Sequence, residues 1–262
     1  ILAVDINEAT QAVKENRFKD AIKLLEISLI EHPDHIDSLY LAGVCSRYLK
    51  EFDDAIKYIE SLLLHAPDMG RAYQELAHIN RDMGNEEKSI SNYRQACELN
   101  PALISSWMSL YEYFKKNNNK PALDHATEQI NKLQSLPNML LYIDQVMNEG
   151  RLGVAELKCR EFLKKNPTHT YAMSQLSEIA NRLGHFDDAE LLLEKAVQFN
   201  PDDGELRMKY ALVLRKKQKF AKTMEQVNIL CDKYPDNLSY QAQKASEIMQ
   251  NGQHEDAIDL FD

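Results

Sequence analysis

The chain has 262 residues, 44% of them hydrophobic and 27% charged, so it can bury a core and does not have the composition of a disordered protein. Its formal net charge of −10 argues against a general attraction to nucleic acid or to an anionic membrane surface. It contains no apolar run of about 18 residues, so we expect no segment that spans a membrane.

A pattern of alanine and proline recurs along the chain. The prolines in two groups are spaced by 34 residues within each group: Pro33, Pro67 and Pro101, then Pro167, Pro201 and Pro235. An alanine stands twelve residues before four of them, at Ala21, Ala55, Ala155 and Ala189. Such a period is typical of a stacked array of repeats, not of a compact domain with one active site.

The stretch LGHFDDAELLLEKAVQFNPDD, at 183–203, shows what one period contains. Gly184 suits the left-handed residue that ends a helix, and Asp187 and Asp188 suit the first turn of the next helix. Apolar residues then follow at helical spacing until Pro201, which disfavours helix in the residue before it. Each unit is therefore predicted to be a pair of amphipathic helices.

In chain order, we expect about seven and a half such helix-turn-helix units. Their predicted ranges are 2–35, 36–69, 70–103, 104–135, 136–169, 170–203 and 204–237, with a partial unit at 238–262. Pro101 and Pro167 are 66 residues apart, two fewer than two full periods. We assign the missing residues to the loop at 116–121 and the turn at 134–138, and expect a bend near 116–138.

The ends of the chain and its cysteines bear on its context. The chain begins at Ile1 without Met and stops at Asp262, a few residues into a predicted helix, so we expect a piece of a longer protein. The four cysteines lie at apolar positions of predicted helices with no CxxC spacing, which predicts buried free thiols and a reducing, cytoplasmic location. They are Cys45, Cys97, Cys159 and Cys231.

Motifs for catalysis or cofactor binding are missing from the sequence. None of GxGxxG, GxxxxGK[ST], HExxH and GxSxG occurs. His185 beside Asp187 and Asp188 could suggest a metal site or an acid/base pair, but paired aspartates also occur at Asp53 and Asp54 because helix starts recur. We therefore expect no catalytic residue, no cofactor and no metal in these 262 residues.

The residue types in several units resemble the tetratricopeptide repeat family, over essentially the whole chain. The matching residues are Leu39, Gly43 and Ala55; Tyr73, Leu76, Ala77, Tyr93, Ala96 and Pro101; and Trp107, Leu110 and Phe114. The resemblance implies an all-α fold, a right-handed α-α superhelix. It also implies that the first helix of each pair lines a concave groove that binds peptides or protein segments.

On that fold, the inner face predicts the binding residues. Of twelve positions near the ends of the first helices, seven are basic and one is acidic, so we expect a protein or peptide partner, of acidic character. The alternative is that cations collect there because the helix dipole favours them. The predicted groove residues are Tyr40, Arg47, Tyr48, Arg71, Gln74, His78, Arg81, Lys115, Tyr171, Asn181, Arg182, Met208 and Arg215.

Three segments, at 71–76, 100–107 and 176–184, are similar to the repeat region of bacterial tetratricopeptide-repeat sulfotransferase proteins. That resemblance implies a second hypothesis, in which the chain is a non-catalytic arm that presents substrate or dimerises, and the catalytic domain follows Asp262. A third hypothesis is a structural homodimer scaffold.

Overall fold

The structure is a computed structural model that describes residues 6–250, and within that range the chain is all-α, with no strand. We call the odd-numbered helices first helices and the even-numbered ones second helices. The helices are α1 (Asn7–Lys14), α2 (Phe18–Glu31), α3 (Ile36–Tyr48), α4 (Phe52–His65), α5 (Gly70–Asp82), α6 (Glu86–Leu99), α7 (Ile104–Lys116), α8 (Lys120–Gln134), α9 (Asn138–Asn148), α10 (Leu152–Lys165), α11 (Thr170–Arg182), α12 (Phe186–Phe199), α13 (Gly204–Lys216), α14 (Phe220–Lys233) and α15 (Leu238–Gln250). The predicted all-α fold is confirmed.

The helices form two compact units. Unit 1 consists of Ile1–Leu141 with Asn148–Gly150, and unit 2 consists of Tyr142–Met147 with Arg151–Asp262. Helices α1–α8 belong to unit 1, helices α10–α15 belong to unit 2, and α9 contributes residues to both. The ends of the predicted first and last repeats, at 2–5 and 251–262, lie outside the described residues.

Five second helices pack between their own first helix and the first helix of the next pair: α2, α4, α6, α12 and α14. In α4, Ala55, Ile59 and Leu62 are fully buried at spacings of four and three, which places them on one face of the helix. They pack with Leu39 of α3 and Ile79 of α5 in one cluster. A second helix therefore requires its neighbouring repeat to complete its core.

From α1 to α13, a left-handed residue follows each first helix and turns the chain into the second helix. Gly84 has φ of 81°, and its N–H donates to the carbonyl of Arg81 at 2.9 Å, while the N–H of Asn85 donates to the carbonyl of Asn80 at 2.8 Å. These bonds satisfy carbonyls at the end of the helix. The residues with positive φ are Asn16, Lys50, Gly84, Asn118, Gly150, Gly184 and Gln218.

The short repeat in the middle of the chain differs from our expectation. The turn after α7 has the same length as the turns after α3 and α5, so the assignment of missing residues to 116–121 is wrong. Helix α9 has 11 residues, whereas α7 and α11 have 13 each. The shortage therefore lies in α9. The bend near 116–138 and the repeat boundaries stay predictions.

Two further features concern the length of the helices and the state of the cysteines. No helix of residues 6–250 has both the length and the apolar character needed to cross a bilayer. All four cysteines are buried and free, as predicted. Burial raises the pKa of Cys45 to about 11 and those of Cys97 and Cys159 to about 12, so these thiols are protonated at neutral pH.

The turn geometry predicts opposite effects for one substitution at two glycines. Gly184 has φ of 80°, whereas Gly153 lies exposed in α10, and neither has a heavy atom within 4 Å of an added Cβ. Gly184→Ala should lower the free energy of unfolding by about 1 kcal/mol, because an L side chain is strained in the left-handed region. Gly153→Ala should raise it by about 0.5 kcal/mol, because alanine restricts the unfolded chain. Urea unfolding measures both changes, and changes of the same sign would contradict the assigned geometry.

Candidate functional site

Successive first helices lie side by side in each unit and contact one another through polar side chains. In unit 1, the Ser106 hydroxyl of α7 donates to Gln74 Oε1 of α5 at 2.8 Å. In unit 2, Lys216 Nζ of α13 donates to Asn181 Oδ1 of α11 at 3.0 Å. We call the surface that these helices form in each unit the first-helix face. All thirteen predicted groove residues belong to first helices.

Arg47 holds α3 to α5. Its side chain is only 11% exposed, its Nε lies 2.5 Å from Glu75 Oε1, and a terminal nitrogen lies 3.2 Å from Asp82 Oδ2. Burial raises the pKa of the Glu75 carboxyl, and the charge of Arg47 counteracts that effect. The guanidinium also lies 4.5 Å from the centre of the Tyr48 ring, which stacks on Phe18. Arg47 is thus committed to contacts within the protein.

Two further predicted arginines face buried carboxylates. The Arg71 Nε lies 3.1 Å from Glu149 Oε1, and the guanidinium lies 4.2 Å from the centre of the Tyr40 ring. Arg215 lies 3.4 Å from Glu247 Oε1 in α15, and the Glu247 side chain is 1% exposed. Arg71 and Arg215 are therefore occupied by contacts within the protein.

His78 and Arg81 meet at the hydroxyl of Tyr93. Arg81 donates to the Tyr93 oxygen at 3.2 Å, and that oxygen lies 2.7 Å from His78 Nδ1. Since Arg81 has no acceptor to offer, the Tyr93 hydroxyl is left to donate to His78 Nδ1. Burial, with smaller contributions from Arg47 and Arg81, lowers the pKa of His78 to about 4. The imidazole is therefore neutral at pH 7.

The predicted residues of unit 2 differ in how they are engaged. The Tyr171 hydroxyl donates to Asp144 Oδ2 at 2.6 Å, and burial followed by the charge of Asp144 raises the pKa of that phenol. Arg182 is exposed, donates to Glu178 at 2.8 Å and also reaches the carbonyl of Met147 at 3.1 Å. Met208 is half-buried.

In unit 1, Lys115 is exposed, with its ammonium 5.8 Å from the centre of the Tyr111 ring. Exposed cations of the first-helix face thus occur in both units, at Lys115 and Arg81 in unit 1 and at Arg182 in unit 2.

Two pockets occupy corresponding junctions of the array. The α5–α7 pocket of unit 1 has a cavity volume of 600 Å³, and the α11–α13 pocket of unit 2 has one of 410 Å³. Their lining residues correspond at a spacing of 100 residues. The corresponding pairs are Arg81 and Asn181, Tyr93 and Leu193, Ser109 and Lys209, Glu112 and Leu212, Tyr113 and Val213, and Lys116 and Lys216.

The pockets include only some of the predicted residues. Arg81 lines the α5–α7 pocket, and Asn181 and Arg215 line the α11–α13 pocket. Lys209 and Leu212 were not predicted, although both line the α11–α13 pocket and are exposed. Helical spacing places both on one side of α13, but it does not distinguish Leu212 from a core leucine, which only its exposure beside the cavity does.

The aspartates at the start of α12 take part in a structural ion-pair network. Lys217 contacts both Asp187 and Glu190, and Lys219 Nζ lies 2.6 Å from Glu190 Oε1. The Glu190 side chain is 11% exposed. These contacts tie the start of α12 to the turn between α13 and α14. Within residues 6–250, no cluster of three His, Cys, Asp or Glu side chains is placed to hold a metal ion.

Family comparison decides the class of protein. Models of the tetratricopeptide repeat match residues 6–63, 70–103 and 175–237, which is more than half of the chain. The chain belongs to the tetratricopeptide repeat family. Proteins of this family generally act as protein-interaction scaffolds, because stacked repeats form extended binding surfaces.

Individual relatives of this tetratricopeptide repeat chain are distant. It is 22% identical over 222 residues to a DnaJ homolog subfamily C member 7 homolog of Dictyostelium discoideum, covering 82% of this chain and 37% of that relative. A thermophilic tetratricopeptide protein of Thermus thermophilus is 17% identical, with 93% of this chain and 97% of that chain covered and a TM-score of 0.36. The Cut9-Hcn1 hetero-tetramer structure contains a chain that is 15% identical, with 95% and 49% covered and a TM-score of 0.43. The comparisons give no support to the resemblance to sulfotransferase proteins.

The Glu190 network makes stability depend on pH. Burial raises the pKa of Glu190, but the hydrogen bonds from Lys217 and Lys219 outweigh burial and lower it overall. Because the folded-state pKa is depressed, the stabilisation is complete above the unfolded value of about 4.3 and is lost as the pH falls through the folded-state pKa. Glu190→Gln should therefore lower the free energy of unfolding by about 1–3 kcal/mol at pH 7 and have little effect at an acidic pH at which Glu190 is protonated in both the folded and the unfolded state.

Urea unfolding at the two pH values measures this difference. Glu225→Gln, at a position of α14 outside this network, is the control and should change stability little at either pH. An equal loss for Glu190→Gln at both pH values would show that the network does not act through the carboxylate charge.

Proposed function

We propose that this chain is a non-catalytic scaffold that binds a segment of a partner protein along its first-helix face. The observation that carries the proposal is the recurrence of a pocket where two successive first helices and the second helix between them meet, once in each unit. A pocket at the same place in the repeat gives the first-helix face of each unit a contact point for an extended or helical segment.

Charge supports a partner of acidic character. The arginines that face buried carboxylates are excluded from this count. Six other cations of the first helices described above are at least partly exposed, in a chain of net charge −10. These six are Arg81, Lys115, Lys116, Arg182, Lys209 and Lys216. Cations on a binding surface steer acidic segments toward it and raise the association rate.

Three further features support the location and the partners that we propose. The four buried free cysteines support a reducing compartment such as the cytoplasm. Ile30 and Leu64, at corresponding positions of α2 and α4, are each 82% exposed, and we propose these two helices as the place where a second copy of the chain would pair. The net charge supports the expectation of no nucleic-acid partner.

A random 12-residue peptide library displayed on phage, selected against the 262-residue chain, tests the proposed function. Selected peptides should bind about tenfold more weakly to a double variant, Arg81→Glu with Arg182→Glu, because both charges are accessible on the first-helix face. Fluorescence anisotropy of the labelled peptides measures the affinity.

The matched control reverses two arginines of second helices, Arg94→Glu with Arg160→Glu. Arg160 pairs with Glu156 at 2.8 Å, as Arg182 pairs with Glu178 at 2.8 Å, so the two arginines form the same kind of ion pair on different faces, and Arg182 in addition donates to the Met147 carbonyl. If no peptide is selected, or if the control variant loses as much affinity, the proposed function is wrong.

A further inference from the structure

We infer that the α11–α13 pocket binds a leucine-like side chain of the partner segment, flanked by aspartate or glutamate residues that meet the lysines at its mouth. The inference rests on the proposed function and specifies the chemistry of the segment at one place on the first-helix face. It is carried by the apolar wall of the pocket, the cations at its edge and the contrast with the corresponding pocket of unit 1.

The wall of the α11–α13 pocket is apolar and includes one exposed large side chain. Leu193 and Val213 are buried at 1% and 5% exposure, whereas Leu212 stays 40% exposed beside the cavity. A volume of 410 Å³ lies within the usual range of binding pockets, about 300–1,000 Å³, and has room for one large aliphatic side chain. An apolar side chain inserted there would remove Leu212 from water, which favours binding.

The edge of the pocket is cationic. Lys209 and Lys216 are seven residues apart on α13, which places them on the same side of the helix two turns apart. Lys216 donates to the neutral amide of Asn181 and lies 5.8 Å from the centre of the Phe186 ring, and neither of these partners carries a negative charge. Lys209 lies 3.3 Å from Glu205 but remains 44% exposed. Both ammonium groups can therefore approach carboxylates of a bound segment.

Acidic side chains around the pocket are engaged elsewhere. Glu178, which lines the pocket, accepts from Arg182 at 2.8 Å. Arg215, also in the lining, faces the buried Glu247. Lys209 is likewise paired, with Glu205, so Lys216 is the lining cation that has no carboxylate partner among the described residues, and its charge favours carboxylates over ammonium groups.

The corresponding pocket of unit 1 has a different chemistry at the same backbone positions. Ser109 and Glu112 stand there in place of Lys209 and Leu212, so a serine replaces one lysine of the pair and a carboxylate replaces the exposed leucine. That pocket therefore has neither the exposed leucine nor the pair of lysines at its edge. Of the two pockets, we therefore expect the α11–α13 pocket to be the one that prefers an acidic segment with leucine.

Sequencing the peptides selected from the 12-residue phage library tests this inference. Peptides that bind should be enriched in leucine flanked by aspartate or glutamate. Leu212→Asp and Lys216→Glu should each weaken peptide binding about tenfold. Leu212→Asp replaces the apolar contact with the leucine of the peptide by a charge, and Lys216→Glu replaces attraction to its carboxylates by repulsion. Matched controls are Leu191→Asp, at a 51% exposed leucine of α12, and Lys222→Glu, at an exposed lysine of α14, and both should keep the affinity within about twofold.

The outcomes separate this inference from the proposed function. Two results would overturn the inference and leave the proposed function standing. In both, the selected peptides bind more weakly to the double variant Arg81→Glu with Arg182→Glu. In the first they nevertheless lack the acidic pattern, and in the second they bind Leu212→Asp and Lys216→Glu with unchanged affinity. A failure to select any peptide would overturn both. If Leu212→Asp loses helical content by circular dichroism, Leu212→Ala replaces it, and unchanged affinity in that variant would equally overturn the inference.

Discussion

The close approach of neighbouring helices at small buried residues is the constraint on which the rest of the structure depends. Ala21, Ala55, Ala155 and Ala189 mark the period of the sequence, and each is completely buried in a second helix. A small side chain there lets adjacent helices pack closely, and the cost of leaving that face exposed makes each repeat depend on the next. Stacking then sets the spacing of the first helices, and with it the spacing of the pockets between them.

The cations of the first-helix face divide into two groups by their partners. Arg47, Arg71 and Arg215 face carboxylates that are almost fully buried, and removing either member of such a pair would leave a charge without compensation. Lys209 and Lys216 are accessible, with partners that leave room for a ligand. The helix dipole favours cations at all helix ends, so position alone does not separate the two groups, whereas burial of the partner does.

Periodicity predicted the helices and their turns because caps, small residues and prolines recur with the repeat. It failed at the middle repeat, where Asn117, Asn118 and Asn119 look like an extended loop. Asparagine tolerates the left-handed conformation, however, and Asn118 simply fills the turn position that glycine fills elsewhere. The shortening falls within α9, which carries no equivalent signal in its sequence.

The predicted binding residues illustrate the same limit. Arg47 and Glu75 are 28 residues apart, which is not the repeat period, so their pairing is invisible to a comparison of equivalent positions. Leu212 was not predicted because only its exposure beside a cavity distinguishes it from a core leucine. Sequence patterns indicate which helix carries a residue. The partner of that residue on a neighbouring helix decides whether its side chain is available to a ligand.

Arg47 stabilises the protein through its buried partner Glu75, whereas we propose that Lys216 binds a partner segment. Measuring the free energy of unfolding and the affinity for selected peptides in Arg47→Gln and in Lys216→Gln tests it most directly. The account predicts that Arg47→Gln lowers stability by about 3 kcal/mol, because Glu75 is left buried and unpaired, and that Lys216→Gln weakens binding while stability stays within about 0.5 kcal/mol. Loss of stability in Lys216→Gln, with unchanged affinity, would contradict it.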